Sequence, residues 1–457
     1  MGVAIDPARG GTGSSRRSIT IGRFVPLRSI AVLLIATALV GCGREDERSI
    51  RKQLTTHAEL SLTDKTHSQA LQEELARIRA DKGWPMQLVE RQPPADSEDD
   101  LTAAVSAPFA SAAEIDRIHR SLNELWPDEG LKFSPTALEH ARRIVARLRP
   151  DTVTFLAALR RPKSAFRVGV DQGIVEDTAW VEAARLVARV RVKEGIDEVY
   201  RGAPEGGIEP LADLIRLASK LEAAPSLVAH LAAVDIRRWI VSGMMAIATS
   251  DAATRRTHEL LFELASADRR EAGSERTAWI GDRAAGMHAY EMVRAGEYLS
   301  LLTREEYDRL EERNETMDHA LVVRRNVDDD ELWYLETMRE LIARCETPYF
   351  ERRKWLDERF EGLDAVRDAP RFPSVAADLL LIGITTAQQR LARGRARRDA
   401  WYLALAAAVD RPLTDGPTVN PETGTAYEVR IDGDRIEVLG LAEEDSDLTP
   451  ILVRRAG

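Results

Sequence analysis

Two consecutive runs decide the fold: Glu209–Ser250, EPLADLIRLASKLEAAPSLVAHLAAVDIRRWIVSGMMAIATS, and Asp251–Met292, DAATRRTHELLFELASADRREAGSERTAWIGDRAAGMHAYEM. Their apolar residues recur at helical spacing. Leu211, Leu214, Ile215, Ala218 and Leu221 form one stripe of an amphipathic helix. Pro225 stands where a second helix starts, and Leu227, Leu231 and Val234 open its apolar face. These runs predict a helical core. They do not by themselves indicate a chemistry.

The surrounding composition agrees. The chain has 457 residues, of which 30% are charged and only 5% aromatic, a balance usual for long exposed helices. Residues 1–41 hold five Arg and one acid, Asp6; the remainder has 59 basic and 74 acidic residues, a balance of −15. An acidic body argues against nucleic-acid binding, which needs a cationic footprint. It argues equally against adhesion of the protein surface to an anionic bilayer. The two cysteines are Cys42 and Cys345. With Cys42 assigned below, Cys345 stands alone in a helix-like stretch and is read as a partly buried small residue rather than a catalytic thiol.

The first 41 residues read as an export signal: a long basic region (SRRSITIGRFVPLR), then an apolar run from Ile30 to Val40 that is too short to span a bilayer permanently. That run ends in Leu39-Val40-Gly41-Cys42, which resembles the lipobox of bacterial lipoproteins. The resemblance implies cleavage after Gly41 and acylation of Cys42, and several acyl chains on one residue anchor a protein firmly. Gly43 rather than Asp follows the cysteine, which in the lipoprotein sorting rule resembles an outer-membrane address facing the periplasm. Arg16-Arg17 resembles a twin-arginine signal, with Sec export the default.

The body reads as follows: residues 42–110 as a charged tether, a helix near Asp64–Lys82 and a connector from Gly83 to Ser111; residues 111–410 as the helical domain; residues 411–457 as a β-hairpin and tail. Ser111 with Glu114 makes a capping-box pattern, and Ser134-Pro135 marks another helix start. Asp151 suits the cap of a separate short helix. Ala165–Gly173 is a non-helical interlude, and Val375–Ala387 a buried core helix. No run after residue 42 suits a transmembrane helix. Ala426–Ile431 and Arg435–Leu439 alternate in the manner of strands around Asp432-Gly433-Asp434, turn chemistry suited to positive φ. The fold class expected is mainly α, a multi-helix antiparallel bundle or irregular helical array with a small C-terminal hairpin packed on it.

The central pattern resembles an uncharacterised group of exported, mostly helical bacterial envelope proteins, in which a helix carrying Glu-Arg, here Glu275-Arg276, follows a P-x-L-V-x-x-L segment. That group ends in an Ala-rich helix, a D-P-x-T-G-x-x-Y segment and a hairpin. Here Asn420-Pro421-Glu422-Thr423-Gly424-Thr425-Ala426-Tyr427 stands in that place, with Asn for the leading Asp. A similar ending occurs in major pseudopilins, but the prepilin cleavage motif and long N-terminal apolar helix are absent. The resemblance implies a fold and an envelope address, and no mechanism.

Candidate chemistry is sparse. His258-Glu259 begins like the zinc motif H-E-x-x-H, but Phe262 stands where the second ligand belongs. Glu275, Arg276, Asp282, His288 and Glu291 could form a metal or acid–base cluster on facing helices, with His288 and Glu291 one turn apart and Glu275 and Asp282 one heptad apart. Residues at such intervals more often serve helix surfaces and interhelical pairs, with Glu275 read as a structural ion-pair partner. No G-x-S-x-G and no Walker glycine loop is present, so no catalytic residue, metal or cofactor is assigned. Asp328-Asp329-Asp330 reads as a helix first turn, the run Glu443–Asp447 as a solvated tail, and Arg390–Arg398 as a solvated helix face. The function expected is that of a lipid-anchored periplasmic protein, non-enzymatic, engaging an envelope partner. A periplasmic hydrolase using core carboxylates and a small-ligand binder are the alternatives.

Overall fold

The computed structural model describes residues 68–453, apart from 96, 108, 110–111, 126–134, 364–371, 415 and 443–448. The export signal, Gly41, Cys42, the tether, the Ser111 cap and the run Glu443–Asp447 lie outside the described residues. The chain order begins with α1 (Gln69–Ala80), α2 (Pro85–Val89), α3 (Leu101–Ser106), α4 (Ala112–Leu125), α5 (Pro135–Leu159) and α6 (Ala179–Tyr200). It continues with α7 (Ile208–Ala223), α8 (Leu227–Ala248), α9 (Arg255–Arg270), α10 (Glu275–Ala295) and α11 (Arg304–Glu312). The last helices are α12 (Thr316–Arg325), α13 (Val327–Arg344), α14 (Tyr349–Phe360) and α15 (Ile384–Ala408). Strands β1 (Glu428–Asp432), β2 (Arg435–Leu439) and β3 (Ile451–Val453) form an antiparallel sheet in that order.

Helix α8 is the axis. Ala229, Ala232, Ile236, Ile240, Met244 and Ile247 are buried, and so are His230 and Arg237, so the helix is covered nearly all round. It packs against α6, α7, α10 and α15. Many of the contact residues are alanines (Ala184, Ala188, Ala218, Ala233, Ala404), which let helix backbones approach closely. The loop 224–226 between α7 and α8 is too short for anything but an antiparallel pair.

Two hydrophobic cores result. The first joins α3, α5 to α9, the C-terminal half of α15 and the sheet, around Leu186, Leu217, Ile240, Leu261 and Trp401. The second joins α1, α10, α13, α14 and the N-terminal half of α15, around Leu71, Trp279, Tyr290, Tyr334, Met338 and Leu391. Burying each such side chain stabilises the fold by about 1.5–3 kcal/mol.

The mainly α fold with a C-terminal hairpin is what the structure has, with β3 added as a third strand. Ile436, Val438 and Leu452 point inward onto α15. The Asn420–Tyr427 segment clasps the sheet to that helix. The Asn420 side chain donates to Gly440 O at 2.8 Å and accepts the Glu422 amide at 2.8 Å. Glu422 pairs with Arg393 at 2.7 Å, and the Tyr427 hydroxyl donates to Ala396 O at 3.1 Å.

Four local expectations change. The connector from Gly83 to Ser111 holds α2 and α3, with Leu88, Leu101 and Val105 buried; helices this short show no period in sequence. The break at Asp151 is absent, because α5 runs through Pro150, whose exposed position lets solvent serve the carbonyl that loses its amide. Val375–Ala387 is not one helix: a π-helical segment, Ala376–Leu380, gives way to a turn before α15. The Arg390–Arg398 run is not a free face, since Arg390, Arg393 and Arg395 pair with Asp235, Glu422 and Glu275.

Among the described residues no helix is long and apolar enough to cross a membrane.

Candidate functional site

Three pieces of chain meet beside α10. The first is the irregular segment 164–178. Its backbone polar groups are met by side chains instead of by a ladder, which fixes it without regular structure. The Thr102 hydroxyl donates to Arg167 O at 2.8 Å and accepts the Arg167 amide at 2.8 Å, while Gln92 Oε1 accepts the Val168 amide at 2.6 Å. The backbone amides of Leu101 and Ala165 donate to Ala165 O and Asp99 O, tying the segment to α3. Gly173 has φ +60°, and a Cβ there would lie 2.3 Å from that of His288, so the segment closes on α10 only with glycine.

The second piece is the start of α8, where Ser226 caps the helix by accepting the Ala229 amide. Here α10 comes unusually near: a Cβ on Gly281 would lie 1.9 Å from Pro225 O. The third is the π-helical segment. Asp330 of α13 holds its beginning, accepting the Val375 amide at 2.9 Å, the Ala376 amide at 3.0 Å and the Tyr290 hydroxyl at 2.7 Å. Burial still pushes the Asp330 carboxyl up to about 6. Single-turn π insertions of this kind recur at functional sites.

Between these pieces lies a cleft of about 920 Å³, its open mouth included. Val168, Ile174, Val228, Ala285 and Leu379 make its walls mostly apolar. Two carboxylates, Asp282 and Glu176, and two hydroxyls, Ser226 and Thr178, interrupt them, and no basic side chain lines it. A smaller cavity of about 520 Å³ adjoins, sharing Asp282, Leu227 and Leu380, with Trp279 and Arg390 on its wall. The buried Trp279 indole N–H has no partner. Size and lining are those of a small-molecule site: apolar walls with a few polar groups.

Both carboxylates hold protons unusually well. Burial pushes Asp282 up to about 7, and no hydrogen bond or ion pair among the described residues offsets it. Burial likewise pushes Glu176 up to about 7, although its carboxylate accepts the Gly169 amide at 2.9 Å. A carboxyl poised near neutrality can take or give a proton, or meet a cation, with little penalty.

The five residues of the expected cluster do not lie on facing helices: all stand on α10, in five different surroundings. Glu275 is buried against Arg352 at 2.8 Å and Arg395 at 3.3 Å. Arg276 is exposed. Asp282 faces the cleft. His288 is buried against Gly173 with no partner for its Nδ1, and burial lowers its pKa. Glu291 joins a separate network in which Arg294 reaches Glu291 at 2.9 Å, Asp328 at 2.8 Å and Glu331 at 2.6 Å. His258 is a core residue whose Nε2 lies 3.2 Å from Ala248 O. Cys345 is buried and free, its thiol donating to Ile342 O. Among the described residues no three His, Cys, Asp or Glu side chains gather closely enough for a metal.

The sequence does not single out Glu176, and it shows Asp330 only as part of a helix first turn. Each sits just before a helix or in its first turn, where an acid is ordinarily explained by the helix dipole.

No protein family matches the chain, and no curated protein or solved structure is significantly similar to it.

Proposed function

We propose that this is a lipid-tethered binding protein of the bacterial envelope, facing the periplasm, that takes a small and largely apolar ligand into the cleft beside α10. The observation that carries the binding half is Asp282: a carboxylate without a partner on the wall of an otherwise apolar cleft. Folding alone does not favour such a group, because even a half-buried acid without compensation costs stability. The tether rests on the lipobox ending at Cys42.

Two measurements test the two halves. Replacing Cys42→Ala in the native host moves the protein from the membrane fraction to the soluble fraction; retention in the membrane sinks the tether. A neutral dye that brightens in apolar surroundings gains fluorescence with the wild-type protein and not with Ala285→Phe, whose ring fills the cleft. Equal brightness in both proteins sinks the binding site.

A protein partner is the second reading, favoured by the exposed apolar residues Met317, Leu321 and Val322 of α12. Cross-linking in living cells followed by mass spectrometry of the purified protein reports it as a stoichiometric companion. The hydrolase alternative would use the same Asp282 and Glu176 as acid and base. Of the two hydroxyls on the same lining, that of Ser226 is engaged as the cap of α8.

A further inference from the structure

We propose that the ligand of this cleft is an organic cation, an amine or quaternary ammonium on a compact apolar body, whose charged head meets Asp282. The inference rests on the binding reading above and specifies its ligand.

The argument comes from how the rest of the chain treats its buried acids. Asp213 is fully buried and receives Arg160, Arg191 and Arg216. Glu222 and Asp268 share Arg237. Glu275 has Arg352 and Arg395, Glu331 has Arg294, and Glu422 has Arg393. Asp330 lacks an arginine but receives three hydrogen bonds. Each of these fully buried carboxylates is met by a guanidinium or by several donors, as desolvation demands. Asp282, only half-buried, stands on the wall of a cleft with no such partner among the described residues.

The neighbours of Asp282 do not fill the gap. On α10 the next residue, Arg283, is buried beside Gly83. From α13 the Tyr334 hydroxyl donates to the Asp282 carbonyl at 3.1 Å, leaving the carboxylate untouched. From α15 Arg390 lines only the smaller cavity and is held by Asp235 at 2.9 Å. From segment 164–178 comes Glu176, a second acid. From α8 come the Ser226 hydroxyl and apolar side chains. The larger cleft therefore offers two carboxylates and no positive charge, so a cation is the complement missing from it. Its apolar walls shed water and strengthen that attraction. A permanent cation competes with the proton on Asp282, so binding strengthens as pH rises through neutrality.

The test is calorimetric titration of the full chain in zwitterionic lipid nanodiscs with three probes of one shape: benzyltrimethylammonium, benzyl alcohol and benzoate. The cation is expected to bind best, about tenfold or more weaker to Asp282→Asn, and weaker at about pH 5 than at about pH 8. Benzyl alcohol should be indifferent to both changes. Asp282→Asn keeps the shape of the side chain and removes an uncompensated charge, so it folds. If alcohol or benzoate binds as tightly as the cation, and Ala285→Phe abolishes that binding, the cleft is a site but not for a cation. If no probe binds, or Ala285→Phe changes nothing, the binding reading fails with it.

Discussion

The two cores neutralise their buried charge to different degrees. In the first, acids at the helix interfaces are closed by arginines from neighbouring helices: Arg237 of α8 ties Glu222 of α7 to Asp268 of α9, and Glu222 also accepts the Gly273 amide at 2.7 Å. Burial alone would raise Glu222, but Arg237 and Arg398 bring it down to about 2. In the second core Glu275 is closed in the same way by Arg352 and Arg395, but for three other acids of α10 and α13 burial prevails. Asp282, Asp330 and Glu331 are pushed up to about 7, 6 and 7, the last in spite of Arg294, which divides itself among three acids. One core uses charge as mortar. The other holds acids that retain protons, and one of them lies open to a cleft. An acid that is fully paired is explained by the fold; an acid left alone on a cavity wall asks for something the fold does not contain.

That contrast can be broken most forcefully at Arg237. Arg237→Ala leaves Glu222 and Asp268 buried without a counter-charge, and the expected loss is about 3–5 kcal/mol in urea unfolding. A loss under about 1 kcal/mol would mean that water reaches these acids and the first core is not sealed.

Glu275→Gln probes the seam where Arg352 and Arg395 meet α10 from α14 and α15. It keeps the shape and strands two guanidinium groups, so thermal unfolding should show a destabilisation of about 2–3 kcal/mol. An unchanged melting temperature would contradict the structural role given to Glu275 and return it to the candidates for function.

The smallest effect sharpens the comparison, because its sign is opposite. Asp282 has its folded pKa raised from 3.8 to about 7 by burial. Folding therefore takes up a proton between those values, and stability falls as pH rises from about 4 to about 7, then levels off. Asp282→Asn removes this dependence. It should gain about 1–2 kcal/mol at about pH 8 and nothing near pH 4, the figure discounted for water in the cleft. Glu222 works the other way: its stabilisation is present above its ordinary value and is lost as pH falls towards 2. A flat difference between wild type and Asp282→Asn across pH would show that the cleft solvates the carboxylate and that no partner is missing.

The helices were legible because apolar spacing is a local property. Leu211 to Leu221 carries the period of α7 within the chain itself, and Ile436 and Val438 carry the alternation of β2. Short or distorted elements were not legible: α2 and α3 are too brief to show a period, and the π-helical segment depends on Asp330, which lies 45 residues before Val375.

The site was legible only as a helix bearing acids. Spacing suggested facing helices for Glu275, Asp282, His288 and Glu291, whereas all four lie on α10, and which of them is paired depends on arginines that arrive from α10 itself, α14 and α15. By itself the sequence determined the helical class and the C-terminal hairpin, since each is written in residues a few positions apart. Only the tertiary structure decided that Glu275 is neutralised, that Glu176 joins Asp282 on one cleft, and that Asp282 stands alone. The energy of a buried charge is set by what surrounds it in space, and those surroundings come from distant parts of the chain.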